Sequence, residues 1–258
     1  MKEERTNMVA SNQETNSSDL QLSYREKLKE LYLECPLPVD ELLTQLGLYT
    51  RSSVLVKYLV LDDLYKRIIN IPGVIMEFGT RWGQNMVIFE NLRAIYEPFN
   101  KTRVIIGFDT FSGYKSITDK DRDSSVFKEG FYSTSINYKE YLENLLAIHE
   151  GNNILGHLPN IHKVIEGDVV ETVPQYFEDH PETIVAMSYF DMGLYKPTKD
   201  ALEAIKPNIV PGSVILLDEL TWNEAAGEAI AFKEVFGNKG YKIEKSHYTP
   251  MRAIVTIQ

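Results

Sequence analysis

The chain has 258 residues, 43% of them hydrophobic, and a formal net charge of −10. That is enough apolar material for one α/β domain with elaborations, while an acidic surface repels phosphate backbones and argues against nucleic acid as a partner unless a local basic patch overrides the mean. A single cysteine, Cys35, excludes an internal disulfide and any cysteine-cluster metal site, and without the apolar run of a signal peptide or a membrane span the expectation is a soluble, cytoplasmic protein with no membrane partner.

In chain order, residues 1–20 are rich in Lys, Glu, Asn, Ser and Thr without apolar period, which predicts a disordered tail. Residues 21–72 read as an amino-terminal helical cap. Its first helix, 23–32, is spaced by Tyr24, Leu28 and Leu31 and stopped by Pro36 and Pro38; the next covers 39–48. The third, 52–69, carries Val54, Leu55, Tyr58, Leu59, Leu61 and Leu64 in a mostly continuous apolar face. Over residues 73–258 strands and helices alternate. Strands are expected at 73–78, 103–108, 162–166, 184–190 and 214–217, and helices at 84–95, 138–149, 171–178, 199–205 and 224–236. Apolar runs without alternation, separated by helices, imply a parallel sheet covered on both faces. Two further strands, 242–247 and 252–257, flank a short Tyr-Thr-Pro turn, so the last strand should run antiparallel. Residues 112–137 have no clear period, and a loop of that size suits binding or closure, or is a plain surface insertion.

Ligands of an open parallel sheet lie at the carboxyl ends of its strands. Here five successive strand ends each bring a carboxylate to that rim: Glu77, Asp109, Asp168, Asp191 and the Asp218-Glu219 pair. Glu77 opens an E-x-G-x-x-x-G turn through Gly79 and Gly83, where glycine permits a tight bend and close approach of a ligand. Asp109, at the end of the second strand, stands where a ribose diol is held, a feature that serves NAD and S-adenosylmethionine equally. Asp168 reads as an acceptor for an adenine amino group or as a helix N-cap. Asp191, Asp218 and Glu219 are hard oxygen donors from adjacent strands, suited to Mg²⁺ or Mn²⁺; the alternative for the pair is a cap on the helix after Trp222. Phe111, Tyr114, Phe127, Phe131 and Tyr132 in or beside the long loop suit stacking on a sugar or adenine under a lid, or pinning the loop to the body. His149, His157, His162 and His180 read as solvated, and His247 as a surface or packing histidine.

The stretches Glu77-Phe78-Gly79-Thr80-Arg81-Trp82-Gly83, Gly107-Phe108-Asp109-Thr110-Phe111-Ser112-Gly113, Tyr189-Phe190-Asp191-Met192-Gly193-Leu194-Tyr195-Lys196-Pro197-Thr198 and Leu217-Asp218-Glu219 resemble the successive motifs of the macrocin O-methyltransferase (TylF-like) family. The resemblance runs over residues 74–236. It implies a Rossmann-like class I methyltransferase fold: a mostly parallel seven-stranded sheet with an antiparallel terminal strand, helices on both faces and extra amino-terminal helices. It also implies S-adenosylmethionine-dependent methylation of a sugar or nucleotide-sugar hydroxyl, a small-molecule acceptor, and room for a homo-oligomer. By the same resemblance Glu77, Gly79, Thr80, Gly83, Asp109, Thr110, Gly167, Asp168 and Asp191 hold the cofactor, Asp191 is catalytic, and Asp191, Asp218 and Glu219 hold Mg²⁺ or Mn²⁺.

The chain departs from the family at one point. Where the family reads Asp-x-Asp-x-Tyr-x-x-Thr, Tyr195 and Thr198 match but the second acidic position, a candidate general base, is Gly193. Three readings follow: a metal alone acidifies the hydroxyl; Glu224, His247 or Asp191 serves as base; or the activity is lost or changed, N-methylation included. An NAD-dependent oxidoreductase is a weaker competitor, because the glycines do not follow G-x-G-x-x-G.

Overall fold

In the computed structural model, which describes residues 17–121, 127–154, 160–222 and 225–258, the apolar runs form seven strands. They are β1 (Val74–Phe78), β2 (Ile105–Asp109), β3 (Lys163–Glu166), β4 (Val185–Phe190), β5 (Ile209–Leu217), β6 (Tyr241–Lys245) and β7 (Ala253–Ile257). One sheet holds them in the order β3-β2-β1-β4-β5-β7-β6. Strands β1 to β5 are mutually parallel. β7 is antiparallel to both β5 and β6, so the terminal hairpin inserts its second arm into the sheet and leaves its first at the edge.

Both faces are apolar because successive strand residues alternate between two cores. Ile75, Ile105, Met187, Tyr189 and Leu216 pack under α3 (Ser52–Ile68), α4 (Gln84–Tyr96) and α5 (Tyr138–Asn152). Met76, Phe78, Phe108, Phe190 and Ile215 pack under α6 (Val169–Asp179), α7 (Tyr195–Ile205) and α8 (Ala226–Phe236). Glu77 shares its face with Ile75 and therefore looks toward α3 and α4.

Several boundaries differ from expectation for local reasons. Helix α1 is Asp19–Leu33, so residues 19 and 20 belong to a helix and not to a tail. Ser18 accepts from the Gln21 N–H while the Gln21 side chain returns to the Ser18 N–H, a capping box that starts the helix early. Helix α2 is Val39–Thr44, followed by a 3₁₀ turn, Leu46–Tyr49. Among the described residues α1 and α2 bury no side chain, and α3 buries only its second half, Val60 to Ile68, leaving Leu55, Tyr58 and Leu59 exposed. Helix α7 begins four residues before the expected 199, since Pro197 falls in the first turn, where a missing N–H breaks no hydrogen bond. β5 begins at Ile209, paired to Val185 across a register shift, despite Pro211 and Gly212.

The side chain of His162, expected to be solvated, is buried: its Nδ1 accepts from the Ile105 N–H at 3.0 Å and its Nε2 meets Glu90 at 2.7 Å. His157 lies outside the described residues. The described parts of the long loop hold no helix or strand. The loop closes on itself through Tyr114 N–H to Phe131 O (3.0 Å) and Gly130 N–H to Tyr114 O (3.1 Å). Among the described residues no helix is long and apolar enough to cross a membrane.

Candidate active site

A cavity of about 610 Å³ opens at the carboxyl ends of the parallel strands. Its wall takes Glu77, Gly79, Thr80 and Arg81 from the β1–α4 turn, Asp109 and Thr110 from β2, Asp168 from the β3–α6 turn, Asp191 from β4 and Glu219 from β5; Tyr114 and Tyr132 come from the long loop and Lys57 from α3. The strand ends are stitched together by Gly79 N–H to Phe108 O at 3.0 Å and Asp191 N–H to Phe78 O at 2.9 Å. Gly79 has φ +90°, and a Cβ there would stand 2.2 Å from the Asp191 carbonyl oxygen, so only glycine lets the turn and the end of β4 approach so closely.

Polar atoms of the cavity-lining residues are left bare. Glu77 is buried; its Oε1 accepts from the Asn85 side chain at 2.6 Å, while its Oε2 has no partner among the described residues. Burial pushes this carboxyl up to about 8, against the pull of Lys57 and the Asn85 hydrogen bond. Thr80 Oγ1 and Arg81 Nε are likewise without hydrogen-bond partners among the described residues, although the Arg81 guanidinium lies over the Tyr132 ring at 4.7 Å. Buried polar groups are nearly always satisfied, so bare ones beside a cavity mark places for a ligand's donors and acceptors.

Asp109 clamps two turns at once: Oδ2 accepts from the Arg81 N–H and Oδ1 from the Phe111 N–H, both at 2.7 Å. Each oxygen keeps a second lone pair for a ligand hydroxyl. Burial raises its proton affinity and the two N–H donors oppose that. Asp168 is the N-cap of α6, accepting from Val170 N–H at 3.1 Å, and also accepts from the Ser116 hydroxyl at 2.6 Å. Capping and cavity lining thus coexist in one side chain. Thr110 donates to the Gly113 carbonyl at 2.6 Å. Gly83 and Gly167 are not part of the wall. Gly83 starts α4 at φ +72°, where a Cβ would meet Leu142 at 2.2 Å, and Gly167 ties β3 to β2 by its N–H to Asp109 O at 2.9 Å.

The expected metal shell does not form. Asp191 and Glu219 face the cavity, but Asp218 does not line it. Asp218 accepts from the Tyr189 hydroxyl at 2.8 Å and is ion-paired with the Arg252 guanidinium. Among the described residues no three His, Cys, Asp or Glu side chains are grouped to hold an ion. A cation site of this kind needs free carboxylate oxygens, and the oxygens of Asp218 are engaged by the chain's own cation; the donor set does not fit Mg²⁺ or Mn²⁺.

The remaining carboxylates are strained electrostatically. Burial and the neighbouring Asp218 push Asp191 up to about 6, with Lys57, Arg252 and Arg81 pulling the other way. Burial, Asp191 and Asp218 push Glu219 up to about 8, opposed by Arg252. Glu228 on α8, fully buried, accepts from Gly193 N–H (3.3 Å) and Glu219 N–H (3.1 Å) and so joins the ends of β4 and β5. Of the alternatives to the missing aspartate, His247 is exposed and does not line the cavity, and Glu224 lies outside the described residues. Lys57, Asn85, Arg252 and Glu228 were not singled out from the sequence. The one usable signal was Glu228, a lone acid amid Ala, Gly, Ile and Phe in an otherwise apolar helix.

No protein-family model and no curated protein sequence matches the chain. Among solved structures, the chain is similar to that of CalS11, a calicheamicin methyltransferase, with 36% identity, TM-score 0.90, and 96% of this chain and 98% of that one covered. An apo structure of CalS11, a TDP-rhamnose 3′-O-methyltransferase of calicheamicin biosynthesis, aligns at 35% identity and TM-score 0.82 over 94% and 96% of the two chains. The O-methyltransferase NovP shares the fold at 15% identity and TM-score 0.57 over 78% and 79%. With an acid-lined cavity at the switch point of this sheet and a relative at this identity along nearly its whole length, the chain belongs to the macrocin O-methyltransferase (TylF-like) family of class I S-adenosylmethionine-dependent methyltransferases.

Proposed function

We propose that this methyltransferase acts on a hydroxyl of a sugar or nucleotide sugar. The observation that carries the reading is one cavity that gathers bare polar atoms of Glu77, Thr80 and Arg81, the clamped carboxylate of Asp109 and the buried carboxyls of Asp191 and Glu219. The likeness to CalS11, described as a TDP-rhamnose 3′-O-methyltransferase, supports the acceptor class.

Bound S-adenosylmethionine supplies a methyl on a sulfonium centre. The chain's residues fit that donor. The bare Oε2 of Glu77 suits its ammonium group, the spare lone pairs of Asp109 suit the ribose diol, and Asp168 suits the adenine amino group. Tyr114 and Tyr132 reach the cavity from the long loop and limit water beside the reacting atoms. Catalysis then comes chiefly from holding the acceptor oxygen in line with the methyl carbon and from a carboxylate that takes the hydroxyl proton. The reading is metal-free, since Asp218 is held by Arg252 and Tyr189.

The test is transfer of isotope-labelled methyl from S-adenosylmethionine to TDP-rhamnose and a panel of other nucleotide sugars and free glycosides, with calorimetry for S-adenosylhomocysteine and NAD. Methyl ether formation on a sugar hydroxyl and binding of the homocysteine nucleoside without NAD are expected. Transfer to amines alone would replace the O-methylation reading.

A further inference from the structure

Among the described residues, the cavity wall carries five carboxylates and three cationic side chains: Lys57 from α3, Arg81 from the β1–α4 turn and Lys115 from the long loop. Arg81 is engaged, its guanidinium lying over the Tyr132 ring at 4.7 Å and the Trp82 ring at 5.8 Å; Lys115 is exposed. Lys57 is half-buried, and among the described residues it makes no hydrogen bond or ion pair. The same cavity holds two bare acceptors on buried side chains, Glu77 Oε2 and Asn85 Oδ1, and the Asn85–Glu77 hydrogen bond of 2.6 Å keeps these side chains together. Bare acceptors and an unpaired cation are the complement of a zwitterion, which brings donors and an anion at once. We propose that Lys57 binds the carboxylate of the cofactor's amino-acid end, while Glu77 and Asn85 receive the ammonium bonded to the same carbon. The assignment rests on the cofactor placement proposed above.

Order and charge both favour that pairing. Asp168, Asp109 and Glu77 stand at the rims of β3, β2 and β1, which are successive neighbours in the sheet. Adenine, ribose and amino acid follow one another in the same order along the cofactor, so its amino-acid end falls at β1. Lys57 is the cation that pulls hardest on Glu77 against the effect of burial, which sets the two side chains near enough to hold neighbouring groups of one ligand. A carboxylate brought to a wall of acids is repelled unless a cation offsets them, and Lys57 supplies that charge. A nucleotide sugar carries another anion, its diphosphate, but brings no ammonium for Glu77 and Asn85.

The pairing also gives the amino-terminal helices a part in the site. Of the side chains in residues 17–72, Lys57 is the one that lines the cavity. It stands about one turn before Val60, where the buried half of α3 begins. An anion held by Lys57 therefore ties the uncovered half of α3 to the rim of the sheet.

The experiment is calorimetry on the full chain with three ligands: S-adenosylhomocysteine, its decarboxylated form, which keeps the amine, and methylthioadenosine, which lacks the amino acid altogether. Lys57→Met removes the charge while keeping an apolar stem and a good helix former. It should weaken S-adenosylhomocysteine by about tenfold or more, the scale of a hydrogen bond to a charged group, and leave the decarboxylated ligand within about threefold of its wild-type affinity. Unchanged binding of that amine shows in the same sample that the variant is folded. Glu77→Gln should weaken both amine-bearing ligands and leave methylthioadenosine alone. If Lys57→Met weakens S-adenosylhomocysteine and its decarboxylated form equally, or neither, the assignment is overturned while the cofactor placement stands. If it spares S-adenosylhomocysteine and raises KM for a nucleotide sugar but not for a free glycoside, Lys57 belongs to the acceptor's diphosphate and the assignment is likewise overturned. If the wild-type chain binds methylthioadenosine as tightly as S-adenosylhomocysteine, the amino-acid end is not held here, and the placement falls with the assignment.

Discussion

Two groups of buried acids sit at opposite ends of the same sheet, and they are built on opposite terms. At the amino ends of β2 and β3, Glu90 receives Arg93 through both oxygens at 2.6 and 2.7 Å, Asn153 at 2.6 Å and His162 at 2.7 Å. Glu150 beside it accepts from the Asn160 and Ile161 N–H groups. Since His162 Nδ1 accepts from Ile105, its proton sits on Nε2 and points at Glu90. Burial alone would raise Glu90, but Arg93 and His162 bring it down to about 2. At the carboxyl ends, Glu77 has one partner and one bare oxygen and is pushed up to about 8. A buried acid with every lone pair used is part of the fold. One left incomplete beside a cavity is waiting for a ligand's hydrogen.

The contrast is broken most directly at Glu90. Glu90→Ala removes one member of a buried pair and leaves Arg93 without its countercharge, so it should destabilise the fold by about 3–5 kcal/mol, read from urea unfolding. The folded fraction should bind S-adenosylhomocysteine normally. If affinity falls more than stability does, the network belongs to the site after all.

At the other end the effect should move from stability to binding. Glu77→Gln removes an under-partnered charge, so stability should hold or rise, while S-adenosylhomocysteine affinity should fall by about 1.5–3 kcal/mol, the scale of a charge-assisted hydrogen bond. Asp109→Ala should lose affinity on the same scale and also some stability, because Asp109 holds the Arg81 and Phe111 N–H groups. Calorimetry showing unchanged affinity in both variants would remove the cofactor assignment of that wall.

Acid and base should then separate the two groups in one titration. Glu90 is depressed from the ordinary 4.5 to about 2, so its stabilisation is complete above pH 4.5 and is lost as pH falls from there toward 2. Glu77 and Glu219 are raised from 4.5 to about 8, so the folded chain takes up protons that the unfolded chain does not, and stability increases as pH falls from 8 toward 4.5. Urea midpoints should therefore be highest near pH 5, lower at pH 8 and lower at pH 3. Saturating S-adenosylhomocysteine should flatten the upper arm alone, since only the carboxyl-end acids meet the ligand.

Much of this was legible because the strands announce themselves. Mainly apolar runs such as Val185–Phe190 are buried on both faces, and the acid that follows, here Asp191, reaches the rim. That rule puts Asp109, Asp191 and Glu219 at the cavity, where the structure has them. What a rim position does not reveal is which partner arrives from elsewhere in the chain. Asp218 reads as a metal ligand until Arg252, 34 residues on, is seen paired with it. His162 reads as solvated until Glu90, 72 residues away, closes on its ring. Lys57 and Glu228 come from helices whose packing direction is a tertiary fact. Local pattern carried the strands; the state of each acid depended on contacts between distant segments.

The smallest expected effect is the response to chelation, and it bears on Asp218, which belongs to neither group cleanly. It stands at the carboxyl ends with Asp191 and Glu219, yet like Glu90 it is satisfied: Tyr189 donates to it and Arg252 neutralises it. Tyr189 lies within β4 and is fully buried, so its hydroxyl is fixed in direction. Displacing Arg252 with a dissolved divalent ion would require a half-buried guanidinium to give up its countercharge, a loss of the kind that makes breaking such pairs unfavourable. Methyl transfer after exhaustive dialysis against a chelator should therefore match the untreated enzyme within experimental scatter, and added Mg²⁺ should not raise it. A tenfold fall restored by Mg²⁺ would mean that Asp218 exchanges Arg252 for the ion during turnover. The acid would then belong with the incomplete group, and the contrast between the two ends would have to be drawn one residue further in.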